Sequence, residues 1–200
     1  MENKYTILLA AITALALTMS LVLFAAGPVA AQGGQQEQAE ENAGRDIPPE
    51  LQAKVREFRE VSADLRKTAA PIKADIRELK RTTKGLLRKA RAMPRDARRD
   101  LLDRVSALKE EYAGMVKEKT AAIRESAGAM REAAAASREA WEQEDLEGAL
   151  SSLDQAIARA AELKPLLEEA HQLLEQIVDA LHQIAEEADV PSTTSPAFSA

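Results

Sequence analysis

The chain has no cysteine among its 200 residues, and only 3% of its residues are aromatic. Without thiols it can form no disulfide, no zinc–thiolate centre and no catalytic cysteine. So few aromatic side chains argue against a broad globular core and against stacking platforms for nucleic-acid bases. Charged residues are plentiful at 30%, and with abundant Ala, Leu, Glu and Arg this composition is typical of long helices or coiled coils.

Catalytic and metal-binding signatures are also scarce. The sequence shows no recognisable nucleophile–base spacing and no glycine-rich phosphate loop, so we expect neither enzymatic activity nor a cofactor. The two histidines, His171 and His182, are about 16 Å apart on one helix, too far to share an ion. Glu168 and His171 have the spacing of a helical carboxylate–histidine motif and are the candidate metal ligands. We expect His171 at the edge of the core and His182 in solvent.

The first 31 residues have the features of a targeting segment. Lys4 is followed by a charge-free apolar stretch over residues 6–26 and by small residues before Gln32. This pattern predicts a signal peptide cleaved after Ala31, with a retained membrane anchor as the alternative. Both interpretations predict export to a periplasmic, extracellular or cell-envelope location. Membrane contact, through residues 6–26, is expected only if the segment is retained. Residues 32–46 and 190–200 are predicted to be a disordered linker and a disordered tail.

The strongest pattern in the chain covers residues 146–188. Thirteen apolar residues alternate at spacings of three and four: Leu146, Ala149, Leu153, Ala156, Ala160, Leu163, Leu167, Ala170, Leu174, Ile177, Leu181, Ile184 and Ala188. Such spacing predicts a helix with one apolar seam that must pack against other helices. Further apolar residues flank the seam, and we expect this face to contact two helices.

Two more helices precede this one. The apolar pattern and the turn residues predict helices over 48–92, 94–142 and 145–189, with Pro94 opening the second and Asp145 capping the third. Near residues 112–116 the apolar spacing lengthens, a stutter that locally unwinds a supercoil. We therefore predict an all-α fold over 47–189, an elongated three-helix antiparallel bundle or coiled coil, with kinks near Pro71 and Pro165.

Charge is unevenly distributed along the predicted bundle. Residues 77–104 contain eleven bases and four acids, whereas residues 139–189 contain fourteen acids and two bases. The candidate partner-binding residues lie in the basic run: Arg77, Lys80, Arg81, Lys84, Arg88, Lys89 and Arg91. They could bind anionic envelope polymers, lipid head groups or acidic proteins. The alternative, which the sequence favours, is internal balance against the acidic third helix. We do not expect a nucleic-acid partner for an exported chain.

Two segments carry a resemblance to a known family. Residues 58–65 (FREVSADL) and 70–79 (APIKADIREL) resemble the first long helix of Spy/CpxP-like envelope proteins, a group with zinc-resistance-associated and heavy-metal-sensor relatives. The resemblance covers residues 51–128, and the acidic third helix has no counterpart in it. It implies an ATP-independent chaperone or stress sensor of the envelope, working through a kinked, basic cradle.

Three functional hypotheses follow. The first is an exported, non-enzymatic helical binding protein with protein partners or unfolded clients, in the manner of an ATP-independent chaperone or stress-response protein. The second is a structural coiled-coil spacer or oligomerisation module, for which a homodimer is the simplest form. The third and weakest is a metal-binding envelope sensor that uses His171.

Overall fold

A computed structural model describes residues 47–188, which form three α-helices joined by short turns. Helix α1 spans Pro49–Ala92, α2 spans Arg95–Glu142 and α3 spans Leu146–Glu187. The predicted all-α bundle is confirmed, and each helix begins and ends within two residues of its predicted bounds. The predicted signal segment, linker and tail lie outside the described residues. Within residues 47–188, no helix is long and apolar enough to cross a membrane.

The ends of the helices follow from their local sequences. Pro49 occupies the first turn of α1, where its missing N–H costs no hydrogen bond. Asp145 caps α3 as predicted, because its carboxylate accepts a hydrogen bond of 2.9 Å from the Gly148 N–H. The turn before it is closed by backbone bonds from Glu144 to Trp141 and from Asp145 to Ala140, with Glu144 in the left-handed region (φ 64°).

Helix α3 is the centre of the bundle. It packs along both α1 and α2, whereas α1 and α2 meet at few places. Ten of the thirteen predicted seam residues are buried. Leu146 and Ala188 at the two ends are half-buried, and in the last turns Val178 is buried while Ile177 is only half-buried. A helix turns once every 3.6 residues, whereas a strict alternation of three and four residues repeats every 3.5, so the predicted seam drifts off the buried face. After Leu174 the next buried residue therefore follows at a spacing of four, at Val178, rather than three. The expectation that α3 contacts two helices is confirmed.

The bundle has two apolar clusters of unequal size. The larger one joins all three helices around Leu79, Ile123 and Leu174. The smaller one lies at the opposite end around Leu51 and Leu153, with the single tryptophan packed against it. Ala134 of α2 and Ala156 of α3 are buried between the two clusters. At the smaller cluster, α2 approaches α3 so closely that the Ser137 hydroxyl donates to the Ala149 carbonyl at 2.8 Å.

Two interruptions predicted from the sequence fall inside continuous helices. Pro71 lies within α1 and Pro165 within α3, and the kinks expected there stay predictions. In α2, no residue between Val105 and Ile123 is buried. This loosely packed segment (residues 106–122) contains the predicted stutter and Met115, which is 42% exposed.

We predict opposite effects on stability from two neighbouring threonines of α1. The Thr83 hydroxyl is buried and has no hydrogen-bond partner among residues 47–188. The Thr82 hydroxyl lies 3.0 Å from His182 Nε2. Because burying an unpaired hydroxyl is costly, Thr83→Val should raise the free energy of unfolding by about 1 kcal/mol, whereas Thr82→Val should lower it by a similar amount.

Urea unfolding followed by circular dichroism measures both variants. The two substitutions change helix propensity equally, so their difference isolates the hydrogen bond. A loss of stability in Thr83→Val equal to that in Thr82→Val would contradict the assignment of Thr83 as unpaired.

Candidate functional site

The outer side of the second half of α1 carries a concentrated positive charge. Six of the seven candidate partner-binding residues are exposed there, and we call this set the basic face: Arg77, Lys80, Arg81, Lys84, Arg88 and Arg91. They point outward because the positions between them are buried in the main cluster. Leu79, Thr83 and Leu86 are each no more than 4% exposed, and a residue one step away on a helix is turned by about 100°.

Almost no acid lies within the basic face. From residue 79 to residue 95 the chain contains seven bases and no Asp or Glu. Glu78 stands at its edge and pairs with Arg81 at 3.4 Å on the same helix, while its other oxygen lies 3.5 Å from His182. The other five residues of the basic face form no ion pair and no side-chain hydrogen bond within residues 47–188.

Two other bases of the run, which do not belong to the basic face, contact α3. Lys89, the seventh candidate, turns toward α3 and donates to the Ala185 carbonyl at 3.3 Å. Arg104, at the start of α2, pairs with Glu187 at the end of α3. The sequence favoured internal charge balance for the whole run. The fold instead pairs Arg104 with an α3 carboxylate, brings Lys89 to an α3 carbonyl, and leaves the basic face without a partner on α3 within residues 47–188.

Two features of the basic face were not singled out from the sequence. Lys73 is exposed one turn before Arg77 and extends the positive charge along α1. Gly85 lies among Arg81, Arg88 and Lys89, at helical spacings of four, three and four residues. A Cβ added there would meet nothing within 4 Å. The sequence contained a signal for each feature. Bases recur every fourth residue from Lys73, and Gly85 is a glycine inside a strongly predicted helix.

The candidate metal ligands are not brought together. His171 Nδ1 lies 2.6 Å from Asp75 of α1, and its Nε2 lies 3.5 Å from Glu175. Glu168 is exposed and makes no contact of this kind with His171. Among residues 47–188, no group of three or more His, Asp or Glu side chains could hold a metal ion. The carboxylate nearest to His171 comes from α1, which helical spacing on α3 alone could not show.

His182 also differs from its expected place. Its ring contacts Thr82 and lies near Glu78, with 44% of the side chain exposed. It therefore lies on the interface between α1 and α3 rather than in open solvent. Both histidines thus connect α3 to polar side chains of α1, and this placement gives them a structural role in the bundle.

Ion pairs fix the parallel register of α1 against α3. Lys54 pairs with Asp154 at 2.7 Å, and Asp64 with Lys164 at 2.7 Å. The hydrogen bond from Lys164 holds the pKa of Asp64 below its usual value, and the same bond raises the pKa of Lys164. Hydrogen bonds from Lys54 to Asp154 and Glu57 likewise raise the pKa of Lys54. All of these groups are exposed, as is typical of structural pairs on a helical surface.

An open groove of about 790 Å³ lies at the end of the bundle opposite to the basic face. Helices α1 and α3 begin there, and carboxylates and aliphatic side chains line the groove: Glu50, Leu146, Glu147, Leu150, Ser151, Asp154, Gln155 and Ala158. Asp154 is engaged by Lys54. The groove contains no base next to Ser151, so it offers no arrangement for nucleophilic catalysis.

We predict a specific acid sensitivity from the Asp64–Lys164 pair. Folding lowers the pKa of Asp64. The pair therefore stabilises the fold fully at pH values above the pKa of an unfolded aspartate, which is about 4. This stabilisation is lost as the pH falls through the lower pKa of Asp64 in the folded chain. Asp64→Asn should therefore be less stable than the parent at neutral pH, and the difference should close below about pH 4.

Urea midpoints between pH 2 and pH 7 measure the difference. Glu132→Gln is the matched control, because it removes one exposed negative charge that has no ion pair within residues 47–188. A stability gap for Asp64→Asn that stayed constant down to pH 2 would show that the pair does not form.

No protein-family model, no curated protein and no solved structure matches this chain. The resemblance to Spy/CpxP-like envelope proteins over residues 51–128 therefore stays a prediction.

Proposed function

We propose that this chain is a non-enzymatic helical protein of the cell envelope that binds anionic partners through its basic face. The observation that carries the proposal is the charge on α1. Six bases are exposed there, five of them without an internal partner among residues 47–188, and α1 has no acid from residue 79 to its end at Ala92. A region of one sign attracts partners of the opposite sign and speeds their association.

Three further features support the proposal. Lys4, the apolar residues 6–26 and the small residues before Gln32 support export. The titratable groups with shifted pKa values belong to exposed pairs, three of them between helices, rather than to a cleft, which supports a non-enzymatic role. The long three-helix bundle supports a role in which α1 is presented as a firm surface.

We predict that three neutralising substitutions weaken binding to anionic ligands. The variant Lys84→Gln/Arg88→Gln/Arg91→Gln removes half of the basic face and leaves the buried residues of α1 unchanged. The full chain should bind at least one of three immobilised ligand classes at low salt: a phosphate polymer, an acidic polypeptide or an anionic vesicle. The triple variant should lose roughly tenfold or more in affinity, because charge contacts dominate such binding.

The control variant is Arg56→Gln/Arg59→Gln/Arg124→Gln. It changes net charge equally, and its three residues are exposed without ion pairs among residues 47–188. A role for the basic face would be refuted if the triple variant bound as tightly as the parent chain. It would also be refuted if the triple variant and the control variant lost the same affinity.

A second candidate, an ATP-independent chaperone, is favoured by the loosely packed segment of α2. Tyr112 and Val116 are half-buried there, and Met115 is exposed. Accessible apolar side chains beside a charged surface could hold an unfolded segment. This version is limited by the small exposed apolar area, because Ile47 and Met115 are the only large apolar side chains classed as exposed within residues 47–188.

We predict that, if the chaperone role is correct, the full chain suppresses aggregation of a chemically unfolded test protein without ATP. Suppression should weaken in high salt and should fall by about half in Met115→Gln, because the apolar contact is small. Light scattering at several-fold molar excess measures it. No suppression under these conditions would leave a structural spacer as the better second candidate.

A further inference from the structure

The basic face is long and narrow. From residue 77 to residue 91 it extends about 21 Å along α1, and its six side chains fall on an arc of about 100°. Arg77, Lys84 and Arg91 are seven residues apart, as are Arg81 and Arg88. Residues seven apart lie almost directly above one another on a helix. The charges therefore form rows parallel to the helix axis.

Exposed acids lie on the neighbouring helix α3, whereas the first turns of α2 expose both acids and bases. The last turns of α3 expose Asp179 and Glu186. Contacts from Lys89 to Ala185 and from Thr82 to His182 place that end of α3 against α1 at the level of the basic face. A flat anionic membrane would approach the flanking acids as well as the bases. A chain-like ligand can follow the rows and avoid those acids.

The basic face recognises charge alone. Met115 on α2 and Ile47 before α1 are the exposed large apolar residues among residues 47–188, and neither lies on it. Helices that lie on membranes combine a basic side with large apolar residues that enter the lipid. Proteins that hold nucleic-acid strands add aromatic side chains for the bases. The basic face has neither addition, so its ligand needs neither an acyl region nor a base.

The charge density fits closely spaced phosphates. Six bases over about 21 Å are on average about 4 Å apart along the helix axis, similar to the roughly 3.4 Å of axial rise per phosphate in one strand of a nucleic-acid duplex. Four of the six are arginines, whose planar guanidinium groups bind phosphate oxygens in pairs. Gly85 lies at the edge of the basic face, one turn from both Arg81 and Arg88. A Cβ added at Gly85 would meet nothing within 4 Å, so a chain of phosphates can approach the helix backbone there.

We infer that the basic face binds a linear polyanion of closely spaced phosphate groups, laid along α1 from Arg77 to Arg91 and across Gly85. This inference rests on the proposed function and adds the chemistry of the partner. Arginine and lysine side chains hold the phosphates, and Gly85 provides the room for them. The acids at the end of α3 favour a single chain over a flat anionic surface.

Chain length is the decisive test. The full chain, carried in nanodiscs of zwitterionic lipid, is titrated with inorganic polyphosphate of about 60 units and with tripolyphosphate at equal total phosphate. The long polymer should bind roughly tenfold or more tightly per phosphate, because only it reaches all six bases. The logarithm of its affinity should fall with the logarithm of salt concentration at a slope of about −4 for six contacts. The Lys84/Arg88/Arg91 triple variant should lower that slope to about −2.

Gly85→Ala tests this close approach separately from the charge. Alanine favours a helix more than glycine does, and neither Gly85 nor Gly114 has an atom within 4 Å of an added Cβ. Both Gly85→Ala and its control Gly114→Ala should therefore raise the melting temperature. Gly85→Ala alone should also weaken polyphosphate binding, by roughly threefold or more. Unchanged binding in Gly85→Ala would refute the part assigned to Gly85.

The outcomes separate the inference from the proposed function. Equal affinity per phosphate for both lengths, or tighter binding to anionic vesicles or polyglutamate than to the long polymer, would overturn the linear polyanion and leave an anionic partner of another class. If the parent chain and the triple variant bound every anionic ligand equally, both the inference and the proposed function would be overturned.

Discussion

The structure depends on the burial of the α3 seam between α1 and α2. Because α1 and α2 meet at few places, each is held mainly by what it packs against α3. Residues such as Leu163, Leu167 and Leu174 are at most 2% exposed, and truncating a buried leucine typically costs about 2–5 kcal/mol. The ion pairs along the edges are exposed and screened by solvent, so they select the register of helices that the seam already holds together.

The same burial determines which charges face outward. Once Leu79 and Leu86 are turned into the core, Arg77, Lys84 and Arg88 must point to solvent. Lys89 is one step further round than Arg88, and that step turns its side chain toward the Ala185 carbonyl. The basic face is therefore a consequence of apolar packing on the other side of α1, and its arrangement is as firm as the core behind it.

The sequence predicts the fold well because the seam has a single period over more than forty residues. That period and the turn residues place all three helices and the Asp145 cap. It does not predict side-chain partners across helices, because those depend on helix rotation and axial offset. Hence Asp75 was not anticipated beside His171, nor Thr82 beside His182. The basic residues could be identified from composition, but their division between internal pairing and exposure required the fold.

The charge pattern of α2 shows what an ordinary solvated helix of this chain looks like. Most of its exposed bases are followed directly by an acid, as in Arg124-Glu125 and Arg131-Glu132, a pattern that suits a helix surface. On α1, bases instead repeat at spacings of three and four, where like charges destabilise a helix. Bases are favoured near a helix C-terminus, but this effect is limited to the last turn. It therefore does not explain the bases at Arg77, Arg81 and Lys84. A spacer would need only the pattern of α2, so the repulsion retained on α1 argues for a ligand that neutralises it.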